Sequence, residues 1–196
     1  MLRAFSKSFV TLFGLGYFPK APGTIASIVG IILGGVILAL DNGLIYLILL
    51  LLIVGIVGTL CLNASINSFN SKDPSEVVID ELIGQWVALW PLALFKFMLA
   101  SGFLLPNREK FFLGLEPAIR YLGFGISDFF SIERYYILSL FALFILFRFF
   151  DIWKPLIIGR IDKQNTPISI MLDDIYAGLF AGTVFLTFIF LINILS

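Results

Sequence analysis

Five stretches of this chain, residues 24–40, 44–66, 75–97, 132–153 and 174–195, are apolar almost throughout. A helix needs about 20 apolar residues to cross about 30 Å of hydrocarbon, so runs of this length and number leave little choice of fold. Within lipid every backbone N–H and C=O must be satisfied inside the segment, which a helix does alone. The chain therefore reads as all-α, a polytopic membrane helical bundle of about five transmembrane helices. At 196 residues it is expected to form a single domain, 1–196. Composition agrees: 60% of residues are hydrophobic and only 13% charged, against about 25% charged in soluble domains.

Two segments outside the spans also have a membrane character. The N-terminal MLRAFSKSFVTLFGLGYFPK places Arg3 and Lys7 ahead of an apolar stretch, as a signal peptide does, but it ends in FPKAPG with no small-x-small cleavage site. It is expected to be retained as a short embedded or interfacial segment. In the 101–134 connection, NREKFFLGLEPAIRYL sets Phe111, Phe112, Leu115, Ile119 and Leu122 on one helical face with charges opposite, the pattern of an interfacial helix on the membrane surface. Of 13 Lys and Arg residues, eight fall on the face of the N-terminus and five on the other. That bias places the N-terminus in the cytoplasm.

What the chain lacks narrows its chemistry. It has no histidine and a single cysteine, Cys61, in an apolar run. Phosphohistidine chemistry, a Ser-His-Asp triad, cysteine-phosphatase chemistry and Cys/His zinc sites are thereby excluded or strongly disfavoured. Formal charge is zero, so nothing in bulk electrostatics favours a nucleic-acid partner. Any reaction rests on carboxylates, lysine, arginine, hydroxyls and amides.

Those groups concentrate at one interface. Under the five-helix topology FPKAPGT (18–24), KDPSEVVIDELIG (72–84), FRFFDIWKP (147–155) and IMLDDIYAG (170–178) all meet the cytoplasmic face, with eight of the 13 acidic residues. Asp73, Pro74 and Glu76 have the spacing of a capping box at a helix start. Asp80 and Glu81 then fall about two turns, or roughly 10 Å, inside that helix, too deep to cap anything. An unpaired carboxylate at the hydrocarbon boundary costs on the order of 2–3 kcal/mol, so such residues pair, bind an ion or line a polar cavity. Arg148, Asp151 and Lys154 lie three apart on one helical face, ending at Pro155, and make a pocket with both signs of charge; Trp153 and Lys154 also suit a plain interfacial anchor. Asp173 and Asp174 precede a small-xxx-small face of Gly178 and Gly182, and one of them has the position of an N-cap. Thr24 is either an N-cap after the Pro22–Gly23 bend or, with Lys20, a phosphate contact.

Several oxygen ligands with no nitrogen or sulfur donor favour a hard cation such as Mg²⁺, and the adjacent Lys and Arg favour an anionic substrate, phosphate above all. Intramembrane carboxylates also build ion pathways, so a divalent-cation transporter or channel is the alternative reading. A phosphotransferase of the CDP-alcohol type would share the metal and the lipid phosphate, but its run of spaced aspartates and glycines is missing.

The motifs GYFPKAPGT, DPSEVVIDELIGQW, FRFFDIWKP and IMLDDIYAG, in this order and at these separations, resemble the phosphatidylglycerophosphatase A family of bacterial membrane enzymes. The likeness covers most of the chain outside 101–134. It implies Mg²⁺-dependent hydrolysis of phosphatidylglycerophosphate to phosphatidylglycerol and phosphate, a lipid substrate met in the bilayer at the cytoplasmic leaflet of the bacterial inner membrane, within phospholipid biosynthesis. By that likeness the acidic site residues are Asp80, Glu81, Asp151, Asp173 and Asp174, as catalytic groups and metal ligands. Arg148, Lys154 and Arg160 are carried over as substrate-binding cations, beside Lys20 and Thr24. Two stretches depart from the family: NTPIS (165–169) stands where a glycine-rich turn is usual, and 101–134 is longer.

Overall fold

A computed structural model describes residues 2–71, 74–100, 131–155, 157–164 and 166–195. They form α1 (Leu2–Val10), a 3-10 turn (Leu12–Tyr17), α2 (Pro22–Ala39), α3 (Gly43–Ser65), α4 (Ile79–Ala88), α5 (Trp90–Ala100), α6 (Ser131–Trp153), α7 (Ile157–Asp162) and α8 (Pro167–Leu195), with no strand among the described residues. The all-α membrane bundle is thus what the chain adopts. The stretch that carries the expected interfacial helix in the 101–134 connection, NREKFFLGLEPAIRYL, lies outside the described residues.

Among the described residues, four helices are long and apolar enough to cross a membrane: Pro22–Ala39, Gly43–Ser68, Tyr136–Trp153 and Pro167–Leu191. The third expected span is different. Instead of one helix over 75–97 there are two short ones, α4 of 10 residues and α5 of 11. Each reaches about 15–17 Å, half the hydrocarbon thickness. They break at Leu89 because Pro91 has no N–H to continue the ladder and its ring crowds the carbonyl of Val87.

α4 is the centre of the bundle. Eight of its ten residues are buried, packed against α2, α6 and α8. Small residues let the backbones approach. A Cβ on Gly178 of α8 would lie 2.3 Å from the Gly84 carbonyl oxygen of α4, and one on Gly34 of α2 would lie 2.4 Å from Leu89 Cδ1. Trp86 Nε1 donates to the Gly30 carbonyl at 3.0 Å, tying α4 to α2. α3, by contrast, turns Leu49, Leu52, Ile53, Ile56 and Leu60 outward, as a lipid-facing helix does.

Helix starts differ from the sequence expectation in two places that matter for chemistry. α4 begins at Ile79, not at 75, since Val77 N–H closes a turn onto the Pro74 carbonyl (3.0 Å) and Val78 N–H reaches the Val10 carbonyl at the end of α1 (3.0 Å). Glu76 therefore caps no helix, Asp73 lies outside the described residues, and Asp80 and Glu81 occupy the first turn of α4. Carboxylates there are favoured by the helix dipole. Conversely, α8 begins at Pro167, so Asp173 and Asp174 sit about two turns, roughly 10 Å, inside it rather than at its N-cap. The cap is Thr166, whose Oγ1 accepts from Ser169 N–H (3.0 Å) while Ser169 Oγ accepts from Thr166 N–H (2.8 Å). That reciprocal pair gives the divergent NTPIS stretch its structural role. α2 starts at Pro22 after Ala21 in the left-handed region (φ 51°), leaving Thr24 inside the first turn instead of at the cap.

At the far end of the bundle Lys96 Nζ donates to the carbonyls of Leu38 (2.5 Å) and Leu40, and Tyr136 OH donates to the Gly35 carbonyl (2.7 Å). These contacts close the C-terminal end of α2. Its N-terminal end, with the starts of α4 and α8 and the end of α6, holds the buried acids Asp80, Asp151, Asp173 and Asp174.

Candidate active site

Three carboxylates converge from two helices. Asp80 and Glu81 on α4 and Asp174 on α8 each offer an oxygen within 4.8 Å of the others. The Gly84–Gly178 contact produces this: Asp174 precedes Gly178 by one turn and Asp80 precedes Gly84 by one turn, so the closest approach of the backbones sets both acids face to face. Asp80 and Asp174 are buried, and Asp80 Oδ1 and Glu81 Oε2 have no hydrogen-bond partner. Like charges so close in a medium of low dielectric repel strongly unless a cation sits among them. The three converging groups all offer carboxylate oxygens, and Asp80 Oδ1 and Glu81 Oε2 have no protein donor, so the residues fit a hard divalent ion such as Mg²⁺.

The remaining two predicted acids are committed to cations. Asp151 Oδ2 accepts from Arg148 Nη1, one turn earlier on α6. Arg148 Nη1 also reaches Ser27 Oγ on α2 at 3.4 Å, while its buried Nε has no partner. Gly23 makes room for both charges: a Cβ there would lie 2.0 Å from Glu81 Oε1 and 3.4 Å from Arg148 Nη1. Asp173 accepts from Lys154 Nζ at 2.8 Å, and the same ammonium bonds Asp162 of α7. Lys154 follows α6 in the left-handed region (φ 46°), a strained placement for a side chain with a Cβ, held by the packing of α7 beneath it. Burial pulls the Lys154 ammonium down, but its bonds to Asp162 and Asp173 outweigh this and hold its pKa above the ordinary lysine value. As an exposed anchor Lys154 would face water freely; here it bridges two helices.

The other predicted contacts stand further out. Lys20 and Arg160 are exposed at this end of the bundle, and Thr24 is half-buried one residue after Gly23. Sequence reasoning passed over three members of the cluster. Gly23 and Ser27, one turn apart, line α2 against Glu81 and Arg148, and Asp162 shares Lys154. A glycine and a serine at i and i+4 near a charged turn were the available signal for the first two; Asp162 had none, because its partner is set by the turn at Lys154.

To act on a phosphate ester within a bilayer, an enzyme needs negative ligands for a cation and positive groups for the phosphate, on helices that cross lipid. The bundle supplies both, and in class it is an integral membrane phosphatase. Among such enzymes the chain belongs to the phosphatidylglycerophosphatase A family, whose model matches residues 8–189. It is 29% identical over 170 residues to phosphatidylglycerophosphatase A of Haemophilus influenzae, covering 86% of this chain and 79% of the relative. It is also 27% identical over 175 residues to a Bacteroides thetaiotaomicron protein with the provisional name phosphatidylinositol-3-phosphatase, covering 87% of this chain and 85% of the relative. No solved structure matches the chain. Family membership makes it an enzyme and sets aside the transporter reading.

Proposed function

We propose that this chain hydrolyses phosphatidylglycerophosphate to phosphatidylglycerol and inorganic phosphate, with Mg²⁺, at the cytoplasmic leaflet of a bacterial inner membrane, as a step of phospholipid biosynthesis. The observation that carries the reading is the convergence of Asp80, Glu81 and Asp174 beside Arg148. Asp80, Glu81 and Asp174 would hold the ion. When bound, Mg²⁺ supplies neutralisation of the phosphate oxygens and polarises the phosphorus centre. Arg148 offers the phosphate N–H donors in a planar fork, and Asp151 fixes the direction of that fork. Lys154, held between Asp162 and Asp173, keeps α7 and α8 together under the site and adds positive charge to its rim. Water replaces the headgroup oxygen on phosphorus, and the lipid alcohol takes up a proton as it leaves.

The Bacteroides relative supports a second substrate, a phosphatidylinositol 3-phosphate. The two lipids share a feature: each carries a phosphate monoester on a polyol headgroup with a hydroxyl on the neighbouring carbon. Purified protein in mixed micelles, given each lipid with Mg²⁺ or with EDTA, tests the reading. Phosphate release from phosphatidylglycerophosphate that stops in EDTA and returns with Mg²⁺ is expected; release from the inositol lipid alone, or undiminished release in chelator, would refute it.

A further inference from the structure

The seam between α2 and α4 holds a residue that the reaction so far leaves unused. Gln85 is completely buried, and neither Oε1 nor Nε2 of its amide has a hydrogen-bond partner. An unpaired buried amide lowers stability, and apolar side chains of similar size, methionine or leucine, would fill the same space without that cost. Ile79, Leu82 and Ile83 around the same helix show what packing alone selects. Buried amides that persist without a protein partner call for something else to complete them.

Its position says what that is. Gln85 lies one turn beyond Glu81 on the same face of α4. That face meets a glycine row on α2: a Cβ on Gly23 would lie 2.0 Å from Glu81 Oε1, and one on Gly30, two turns further, 3.1 Å from Gln85 Cβ. Between the two glycines stands fully buried Ser27, reached by Arg148 Nη1 at 3.4 Å. Glu81, Arg148, Ser27 and Gln85 therefore follow one another along a single seam leading inward from the carboxylates. Arg148 Nε and Glu81 Oε2 on this seam are unpartnered as well, so four of the seven buried unpartnered side-chain atoms among the described residues lie along it, with Trp90 Nε1 and Ser139 Oγ standing elsewhere.

We propose that Gln85 is a specificity-determining residue, whose amide takes the headgroup hydroxyl on the carbon next to the one bearing the phosphate. An amide presents a donor and an acceptor, the complement of a hydroxyl, and carries no charge to disturb the acids beside it. The inference rests on the reading of the substrate as a polyol lipid phosphate. Phosphatidylglycerophosphate has this hydroxyl on the central carbon of its headgroup glycerol. A site built to bond a hydroxyl rejects the analogue without it, because its own polar groups are then left unpaired.

The test compares kcat/KM of the full chain, in mixed micelles with Mg²⁺, on phosphatidylglycerophosphate and on the analogue in which hydrogen replaces that hydroxyl. Wild type is expected to prefer the hydroxylated lipid by about tenfold, the size of one well-made hydrogen bond, and Gln85→Met to accept both within about twofold. The thermal midpoint of the ligand-free protein is expected to stay level or rise in Gln85→Met, since an unpaired amide is removed. A wild-type preference retained in Gln85→Met overturns the proposal. So does a midpoint lowered by several degrees in both Gln85→Met and Gln85→Leu, which would make the amide structural. Equal rates of wild type on the two lipids refute this inference alone, whereas no phosphate from either lipid defeats the substrate reading and this inference with it.

Discussion

Among single residues, the five acids predicted for the site divide into two groups with different consequences. Asp80, Glu81 and Asp174 converge, with Asp80 Oδ1 and Glu81 Oε2 satisfied by no protein donor, whereas Asp151 and Asp173 are held by Arg148 and Lys154. Asp80→Asn, Glu81→Gln and Asp174→Asn are expected to lower kcat/KM by about 10²-fold or more and to weaken Mg²⁺ binding in titration calorimetry, consistent with the loss of an essential electrostatic group. Asp173→Asn leaves Lys154 with Asp162 and should cost about tenfold or less. Equal losses in the two groups would show that the convergence of three does not define the site. Gly23→Ala probes the same point sterically: the added Cβ would meet Glu81 Oε1 at 2.0 Å, so activity should collapse in a protein that still inserts. Lys154 has a raised folded-state pKa, so its bridge is fully present below the ordinary value of 10.5 and is lost only as pH rises through the higher folded value. Rate profiles between pH 6 and 9 are therefore expected to show no inflection from Lys154, and Lys154→Ala should lower the thermal midpoint with little dependence on salt, since a half-buried bridge is screened weakly. A Lys154→Ala defect confined to KM and erased by salt would instead mark a free surface charge.

Helices bring these residues together through their starts and crossings, and here sequence and structure part company. KDPSE looked like the start of a helix, but the N–H of Val78 is claimed by Val10 from a distant part of the chain, and the helix waits until Ile79. Tertiary pairing overrode a local cap signal. NTPIS carried a legible start, a threonine with a serine three residues on and proline at the first helical position, obscured because the two aspartates interrupt the apolar run that follows it. Thr166→Ala is expected to cost about 1 kcal/mol of stability while leaving activity per folded molecule unchanged, measured by thermal melts and phosphate release in parallel. The α4–α8 crossing should be far less tolerant. Gly178→Ala would put a Cβ 2.3 Å from a backbone oxygen of Gly84, and separating the helices to relieve it moves Asp174 away from Asp80 and Glu81. A loss of about 1–3 kcal/mol with a parallel drop in Mg²⁺ affinity is expected; wild-type affinity would mean that the acids do not depend on this crossing.

For the molecule as a whole, the buried acids and the cations that pair with them gather at one end of a bundle that crosses the bilayer, and the opposite end is closed by Lys96 and Tyr136. In a Cys61→Ala background, single cysteines at Ser71 and Gln164 are expected to react with impermeant reagents only from the cytoplasmic side, and one at Asn42, between α2 and α3, only from outside. Labelling of all three from one side would refute this topology. By itself the sequence determined the class: apolar runs of membrane length demand helices, the absence of histidine leaves oxygen ligands, and four spaced motifs place the chain in its family, because length, composition and motif order are local properties of the chain. Only the tertiary structure decided that three of the five acids share one point, that Lys154 bridges α7 and α8, and that Gln85 lies unpaired in the same seam. Those facts depend on where one helix crosses another. A crossing is set by contacts such as Gly84 on Gly178 and Gly23 on Glu81, between residues far apart along the chain, which no periodicity within a single helix encodes.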